Sequence, residues 1–440
     1  MMIIGGITLL MLSCNDDSNS ITDNIIDSVE AVIDEDSKPN ILLIIADDMG
    51  LDASPGYSIG TTKPNMPNLQ EFINNGVVFN NLWSYPTCSP TRSSILTGKY
   101  GLRTGVNQVG DILSTSETSL QQHIDNLTGF AYSHAVIGKW HLSTDPTHPE
   151  AMGVGSYAGL LTGATPSYSD WSLTENATTT TSTEYISTKF TDLAIDWVEN
   201  QATPWFLWLA YTAPHTPFHL PPLEMHSQGA LPEDQASIDA NPLPYYMAMM
   251  ESIDYEIGRL LSSMSEEERN NTIIIFVGDN GSPSESVQVY NSNRAKGTIY
   301  NGGIAVPMIV SGKNVTRINT TDNTLINTTD LFATIADIAG TGTTEINDSK
   351  SFKSLFTNIN TNLRDYIYSE KTNNDGTSDY AIRNVTHKYI SFADGSEALY
   401  DLSSTTFESN NLMDAAQLPL SIENALIKDE LLVKVNEIRN

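Results

Sequence analysis

The sequence predicts an α/β fold: a large, mostly parallel sheet sandwiched by helices, with a smaller C-terminal antiparallel α+β subdomain. Three patterns carry this expectation. Apolar runs end abruptly in polar residues, helical stretches separate those runs, and the segments shorten beyond about residue 345. The runs are Asn40–Ala46 before Asp47-Asp48, Ser133–Ile137 before Gly138-Lys139-Trp140-His141, Trp205–Ala210 before Pro214-His215, and Thr272–Val277 before Gly278-Asp279-Asn280. Strict alternation is missing from all four, as expected for parallel strands covered on both faces. Met66 to Asn75, Glu184 to Glu199 and Tyr245 to Met264 read as the intervening helices, giving a βα alternation. Asp330 to Gly340 reads as the last helix of this region, with Gly340 as its stop. Asp365–Glu370, Tyr380–Val385, His387–Phe392 and Ala398–Leu402 then read as short strands, and Glu423–Asn436 as a closing helix.

A chain of 440 residues with a formal charge of −31 can bury a large core but offers no basic face. Nucleic acid and anionic membrane surfaces are therefore excluded as partners, and an anionic ligand would need positive charge concentrated in a pocket. At the N-terminus, Met1 to Ser13 is an apolar run too short to span a bilayer, and it ends at Cys14. It resembles a bacterial lipoprotein signal, which implies lipidation of Cys14, export to the periplasm or cell surface, and membrane attachment only through that anchor. Residues 15–37, rich in Asp, Ser and Asn without sustained periodicity, read as a tether.

In open α/β sheets ligands sit outside the carboxyl ends of the strands. The four strand ends should therefore bring Asp47, Asp48, Lys139, His141, His215, Asp279 and Asn280 to one pocket. The acids and the amide offer oxygen alone, which favours a hard cation such as Ca²⁺ or Mg²⁺ over zinc. His215 and His219 have an H-x-x-x-H spacing, but Pro217 breaks any helix between them and removes the zinc geometry. Gly153-Val154-Gly155 lacks the spacing of a dinucleotide fingerprint and reads as a turn.

Cys88 is the one cysteine beyond the signal, so it has no disulfide partner. A lone Cys is most often a small buried hydrophobe, and its setting is what argues for chemistry. It opens a helical stretch with Pro90 near the first turn, and a helix N-terminus favours a bound oxyanion or an ionised nucleophile.

Cys88-Ser89-Pro90-Thr91-Arg92, continued by Ser93-Ser94-Ile95-Leu96-Thr97-Gly98-Lys99, resembles the C-x-P-x-R signature of the type I sulfatases of the alkaline phosphatase superfamily. Gly138-Lys139-Trp140-His141-Leu142, Pro214-His215-Thr216-Pro217, Gly278-Asp279-Asn280-Gly281 and Lys296-Gly297-Thr298-Ile299-Tyr300 extend the resemblance over nearly the whole chain beyond the signal and tether. It implies an alkaline phosphatase-like catalytic domain at 38–344 and a C-terminal subdomain at 345–440. It also implies that a maturation enzyme oxidises Cys88 to formylglycine, whose hydrated aldehyde is the nucleophile. One Ca²⁺ would be held by Asp47, Asp48, Asp279, Asn280 and the oxygen of the modified Cys88.

By the same resemblance Arg92 holds the hydrated formylglycine, and Lys139 binds nucleophile and sulfate. His141 deprotonates the second hydroxyl so that the aldehyde returns. His215 and Lys296 hold the sulfate and protonate the leaving oxygen. Arg103 and His219 are candidate substrate contacts, with His148 and Trp171 as further candidate glycan contacts. Ser143 and Asn301 depart from the family pattern, where Gly and an acidic residue are usual, and they are expected at the pocket rim.

The function expected is hydrolysis of sulfate monoesters on algal polysaccharides or oligosaccharides of ulvan or carrageenan type. The alternatives are a broad arylsulfatase, a phosphonate monoester hydrolase or phosphodiesterase of the same superfamily, and a catalytically dead surface glycan-binding lipoprotein.

Overall fold

The computed structural model describes residues 38–359, 363–405 and 407–440. Cys14 and the tether therefore lie outside the described residues. A ten-stranded sheet runs through the middle of the molecule. In chain order its strands are β1 (Asn40–Ala46), β2 (Gly76–Phe79), β3 (Ser133–Gly138), β4 (Ser156–Gly159), β5 (Trp171–Glu175), β6 (Thr178–Ser182), β7 (Trp205–Tyr211), β8 (Thr272–Gly278), β9 (Met308–Gly312) and β10 (Thr320–Asp322). Their spatial order is β10-β2-β9-β8-β1-β7-β3-β4-β5-β6.

The parallel heart, β8-β1-β7-β3-β4, contains all four apolar runs. Both faces of these strands are covered. Leu42, Ile44, Leu207, Leu209, Ile274 and Phe276 enter one apolar cluster, whereas their neighbours Ile41, Leu43, Ile45, Phe206, Trp208, Ile273 and Ile275 enter another. Each such fully buried side chain contributes roughly 1.5–3 kcal/mol of transfer free energy, which is why polar residues in β1, β3 and β8 are confined to the strand starts.

The flanks bring in antiparallel pairs, although the edge strand β10 runs parallel to β2. On one side β9 runs against both β8 and β2; on the other, β5 and β6 form a hairpin on β4. That hairpin turns at Asn176 and Ala177, both at positive φ (42° and 70°), the backbone hand that suits a tight two-residue hairpin loop. Trp171, expected at a glycan-facing loop, instead begins β5. Its ring packs edge-on against Phe190 and its Nε1 donates to the Glu184 carbonyl at 2.9 Å, so it belongs to the core.

Helices α1 (Pro67–Asn74), α2 (Cys88–Thr97), α3 (Ile186–Glu199), α4 (Leu243–Ser263), α5 (Asn301–Ile304) and α6 (Asp330–Ile338) accompany the sheet. Helix α2 is unusual because all ten of its residues are buried, although six of them are Cys, Ser or Thr. Three of its hydroxyls are accommodated by backbone acceptors: Thr91 donates to the Thr87 carbonyl (3.2 Å), Ser94 to Thr91 (2.7 Å) and Thr97 to Ser93 (2.7 Å). Gly98, at φ 66°, closes the helix where a Cβ would press on Phe332.

Beyond α6, β11 (Ile367–Thr372), β12 (Ser378–Arg383), β13 (His387–Ser391) and β14 (Glu397–Asp401) form a four-stranded antiparallel sheet, followed by α7 (Ile422–Arg439). One face of this sheet, with Ile367, Ala381, Ile390 and Ala398, continues the main core. The other, with Tyr368, Ile382, Tyr389 and Leu399, packs on Leu431, Val435 and Ile438 of α7. Residues Lys38–Asn440 form one compact unit.

Candidate active site

Adjacent parallel strands end at the same edge of a sheet, so β8, β1, β7 and β3 deliver their next residues side by side. The ladder continues past the strands: Asp47 N donates to the Ala213 carbonyl (3.1 Å), Asp279 N to Ala46 (3.2 Å) and Lys139 N to Ala210 (2.9 Å). Asp48 and His141 sit at positive φ (69° and 57°), a conformation costly for side-chain-bearing residues and concentrated at functional sites. The Asp48 turn is held by its own N–H, which donates to Asp279 Oδ1 (3.0 Å), and by Tyr246 Oη, which donates to the Asp48 carbonyl (2.7 Å).

Cys88 is the first residue of α2 and is buried at the centre of this cluster. Its Sγ accepts from Lys139 Nζ at 3.4 Å. Burial pushes the thiol up, with Lys139 opposing and Asp47 and Asp279 reinforcing the shift, so the unmodified side chain is held as a thiol. Arg92, one helical turn later, donates through Nε and Nη2 to Asp279 Oδ2 (3.2 and 2.8 Å) and through Nη1 to the Lys139 carbonyl (2.7 Å). Lys139 Nζ also pairs with Asp47.

Lys296 Nζ donates to Asp48 Oδ2 at 2.6 Å. Burial works against the Asp48 carboxylate, but Lys296 and then His215 outweigh it and hold its carboxyl below the usual range. His215 Nδ1 lies 2.7 Å from the Thr216 carbonyl and must donate there, which leaves Nε2 facing Asp48 Oδ2 at 3.9 Å. Tyr168 Oη fixes this segment by donating to the carbonyls of His215 (2.6 Å) and Thr212 (3.1 Å). His141 is driven down to about 2 by burial, with Lys139 and Arg92 adding to the effect, so its imidazole is neutral at ordinary pH.

Among the described residues, Asp47 Oδ1, Asn280 Oδ1 and His141 Nδ1 are buried here without a hydrogen-bond partner. Unsatisfied buried acceptors are rare, because each costs roughly 1–3 kcal/mol. Ligand atoms of Asp47, Cys88 and Asp279 lie within 4.8 Å of one another, as do those of Asp47, Asp48 and His215. An oxygen-rich cluster with two orphaned acceptors fits a hard divalent cation.

All six sequence-derived catalytic candidates and all the metal candidates thus fall in one cluster. The substrate-contact candidates fare differently. Arg103 Nε donates to Asp348 Oδ2 (2.8 Å) and its Nη2 to the Ile438 carbonyl (3.0 Å), which ties its guanidinium to the end of α7 rather than to a ligand. His148 is wedged between Trp140 Nε1 (3.1 Å) and the Leu113 carbonyl (2.8 Å) as a core group. His219 packs on Tyr168 (ring centroids 4.2 Å apart), with Nε2 3.1 Å from Tyr185 Oη and Nδ1 3.0 Å from the Pro217 carbonyl, so both ring nitrogens are occupied. Asn301 is buried and faces Lys388 of the C-terminal sheet rather than a pocket rim. Ser143 is also buried, and its Oγ accepts from Asp145 N (3.1 Å). Tyr168 and Tyr246, which steady the site from behind, carry no signal in the sequence.

A parallel-sheet α/β protein with a Cys-initiated buried helix and an oxygen-rich cluster at the strand ends defines the class. The sulfatase family model matches residues 39–341, and a model of the N-sulphoglucosamine sulphohydrolase C-terminal region matches 294–437. The chain belongs to the sulfatase family. It is 27% identical over 360 residues to an uncharacterized sulfatase, YdeN, of Escherichia coli strain K12, covering 69% of this chain and 62% of that relative. The chain thus spans less than two thirds of that relative's length. Among solved structures, Ps i-CgsB in complex with k-i-k-neocarrahexaose has a TM-score of 0.77 at 22% identity, covering 91% of this chain and 92% of that one. BT4656 in complex with D-glucosamine-2-N,6-O-disulfate has a TM-score of 0.72 at 20% identity, with 91% and 97% covered.

Proposed function

We propose that this protein hydrolyses sulfate monoesters of carbohydrates, using a formylglycine made from Cys88 and a Ca²⁺ ion held by Asp47, Asp48, Asp279 and Asn280. The observation that carries the reading is the charge balance around Cys88. Three carboxylates (Asp47, Asp48, Asp279) face three cations (Arg92, Lys139, Lys296), so the cluster is neutral within a chain of formal charge −31. Adding a divalent cation makes the pocket positive, which resolves the conflict between an acidic protein and an anionic ester.

When bound, such a cation stabilises charge on the peripheral oxygens of the transferring group. A formylglycine at position 88, once formed, supplies a hydroxyl nucleophile where the thiol now lies. The chain's own groups do the remaining work. Lys139 reaches both the position-88 side chain and Asp47, which suits it to orient the nucleophile. His141 Nδ1 has no partner and is open to the second hydroxyl of a hydrated aldehyde; burial and the neighbouring cations oppose its protonation, so it takes up a proton only as negative charge enters the pocket. His215 Nε2 and Lys296 Nζ, both beside Asp48, are placed to hold the ester and return a proton to its leaving oxygen.

For the substrate we favour an algal galactan or ulvan oligosaccharide, supported by the fold shared with a protein crystallised with a neocarrahexaose. The shared fold of a protein crystallised with a glucosamine disulfate supports a glycosaminoglycan as the second reading. Sulfate release, followed by ion chromatography across a panel of both glycan types, separates them. Activity confined to aryl sulfates, or a preference for aryl phosphonates, would contradict both. We further propose export and lipid attachment at Cys14, resting on the Met1–Cys14 sequence. Labelled palmitate should enter the wild-type chain and not Cys14→Ala.

A further inference from the structure

Lys388, on β13 of the C-terminal sheet, is fully buried, and its ammonium contacts three segments at once. Nζ donates to the Ile299 carbonyl (2.9 Å), to Asn301 Oδ1 (3.1 Å) and to Glu408 Oε1 (2.6 Å), and it lies 4.6 Å from the centre of the Trp83 ring. The Glu408 carboxylate in turn accepts from the backbone N–H of Asn301 (2.9 and 3.1 Å), at the start of the short helix α5. Burial pulls the Lys388 ammonium down to about 8, against the pull of Glu408, so the fold pays to keep a charge here.

The contacted segments are informative. Ile299 lies three residues beyond Lys296, and Trp83 five residues before Cys88. The two segments also touch directly, Gly297 N donating to the Pro86 carbonyl at 2.9 Å. A charge with four partners at this junction fixes Ile299 and Asn301 against the chain that leads into α2. We infer that Lys388, partnered by Glu408, is a positioning residue that holds Lys296 in register with position 88, which makes the C-terminal sheet part of the catalytic apparatus. This rests on the reading that Lys296 contacts the sulfate ester.

A double-mutant cycle tests it, with 4-nitrophenyl sulfate as probe and the full chain matured at position 88. Lys388→Met alone strands the Glu408 charge and should lower both stability and kcat/KM. In Lys388→Met/Glu408→Gln both charges are gone. There Tm should recover towards wild type while kcat/KM stays at least tenfold low, mainly through kcat. Adding Lys296→Ala to that background should cost far less than it costs in the wild type, because both changes disable the same group. A purely structural pair would instead give a double variant with wild-type kcat/KM, or full additivity with Lys296→Ala, and either result overturns the proposal. If Lys296→Ala alone leaves kcat/KM intact, the role assigned to Lys296 fails, and the positioning claim fails with it. Where Lys388→Met does not fold, Glu408→Gln carries the same cycle.

Discussion

Two groups of buried charge in this molecule both pair carboxylates with cations and differ in completeness. At the start of α6, Asp330 accepts from Lys350 N (2.8 Å) and Asn327 N (2.9 Å), and both of its oxygens pair with Arg364. Around Cys88, three carboxylates and the cations Arg92 and Lys139 are buried, with Lys296 partly exposed, yet among the described residues Asp47 Oδ1 and Asn280 Oδ1 are left without partners. A saturated cluster holds a fold together. An unsaturated one, maintained at a cost of roughly 1–3 kcal/mol per orphaned atom, has room for something the chain does not itself supply.

The largest contrast should come from the reacting position. Cys88→Ala should lower sulfate release on the order of 10⁴-fold or more while leaving Tm almost unchanged, since a buried Cys is replaced by a slightly smaller apolar residue. Retained activity with lowered stability would place position 88 in the same category as Asp330.

Metal removal comes next. Chelation should reduce sulfate release at least tenfold and lower Tm, with both restored by Ca²⁺, because a ligand that binds only the folded state stabilises it. Full activity in metal-free protein would break the distinction between the clusters.

Disruption of the saturated cluster should give the opposite pattern. Arg364→Met leaves Asp330 buried and unpaired, which should cost about 3–5 kcal/mol in chemical denaturation while kcat/KM of the folded enzyme is maintained. A large loss of kcat/KM at full stability would show that this cluster also serves the reaction.

The smallest effect is one of pH. Burial holds His219 down to about 4, with the Pro217 carbonyl opposing. Its folded pKa therefore lies below the ordinary value near 6.5, and the unfolded chain takes up the proton first as pH falls. Stability should be unaffected above about pH 6.5 and decline by about 1–3 kcal/mol between there and pH 4. In His219→Gln, denaturant midpoints over the same range should lose that component of the slope. An unchanged slope would show that His219 is not buried as a neutral ring.

The same comparison explains what could be read from the residues alone. Asp47, Asp48, Lys139, His141, His215, Asp279 and Asn280 were legible because each follows a strand too apolar to face water, and the carboxyl ends of parallel strands lie at one edge of the sheet. Lys296 follows no strand, and only the family motif marks it. The ion pair of Arg103 was not legible because Asp348 lies 245 residues away, nor was the core setting of His148, whose contacts to Trp140 and Leu113 form only on folding. The edge hairpin β5–β6 was missed since Asn176-Ala177 lacks the Gly that usually announces such a turn. Lys388 resembled any polar residue of a short strand, and its burial comes from Trp83, Ile299 and Glu408.

The central claim is that position 88 works as an aldehyde hydrate and not as a thiol. Mass analysis of the peptide containing residue 88, made on preparations expressed with and without a maturation enzyme and assayed in parallel for sulfate release, tests it most directly. Specific activity should scale with the fraction in which sulfur has been replaced by the aldehyde oxygen, and vanish where Cys88 is wholly thiol. Full sulfate release from protein carrying only the thiol would contradict the account.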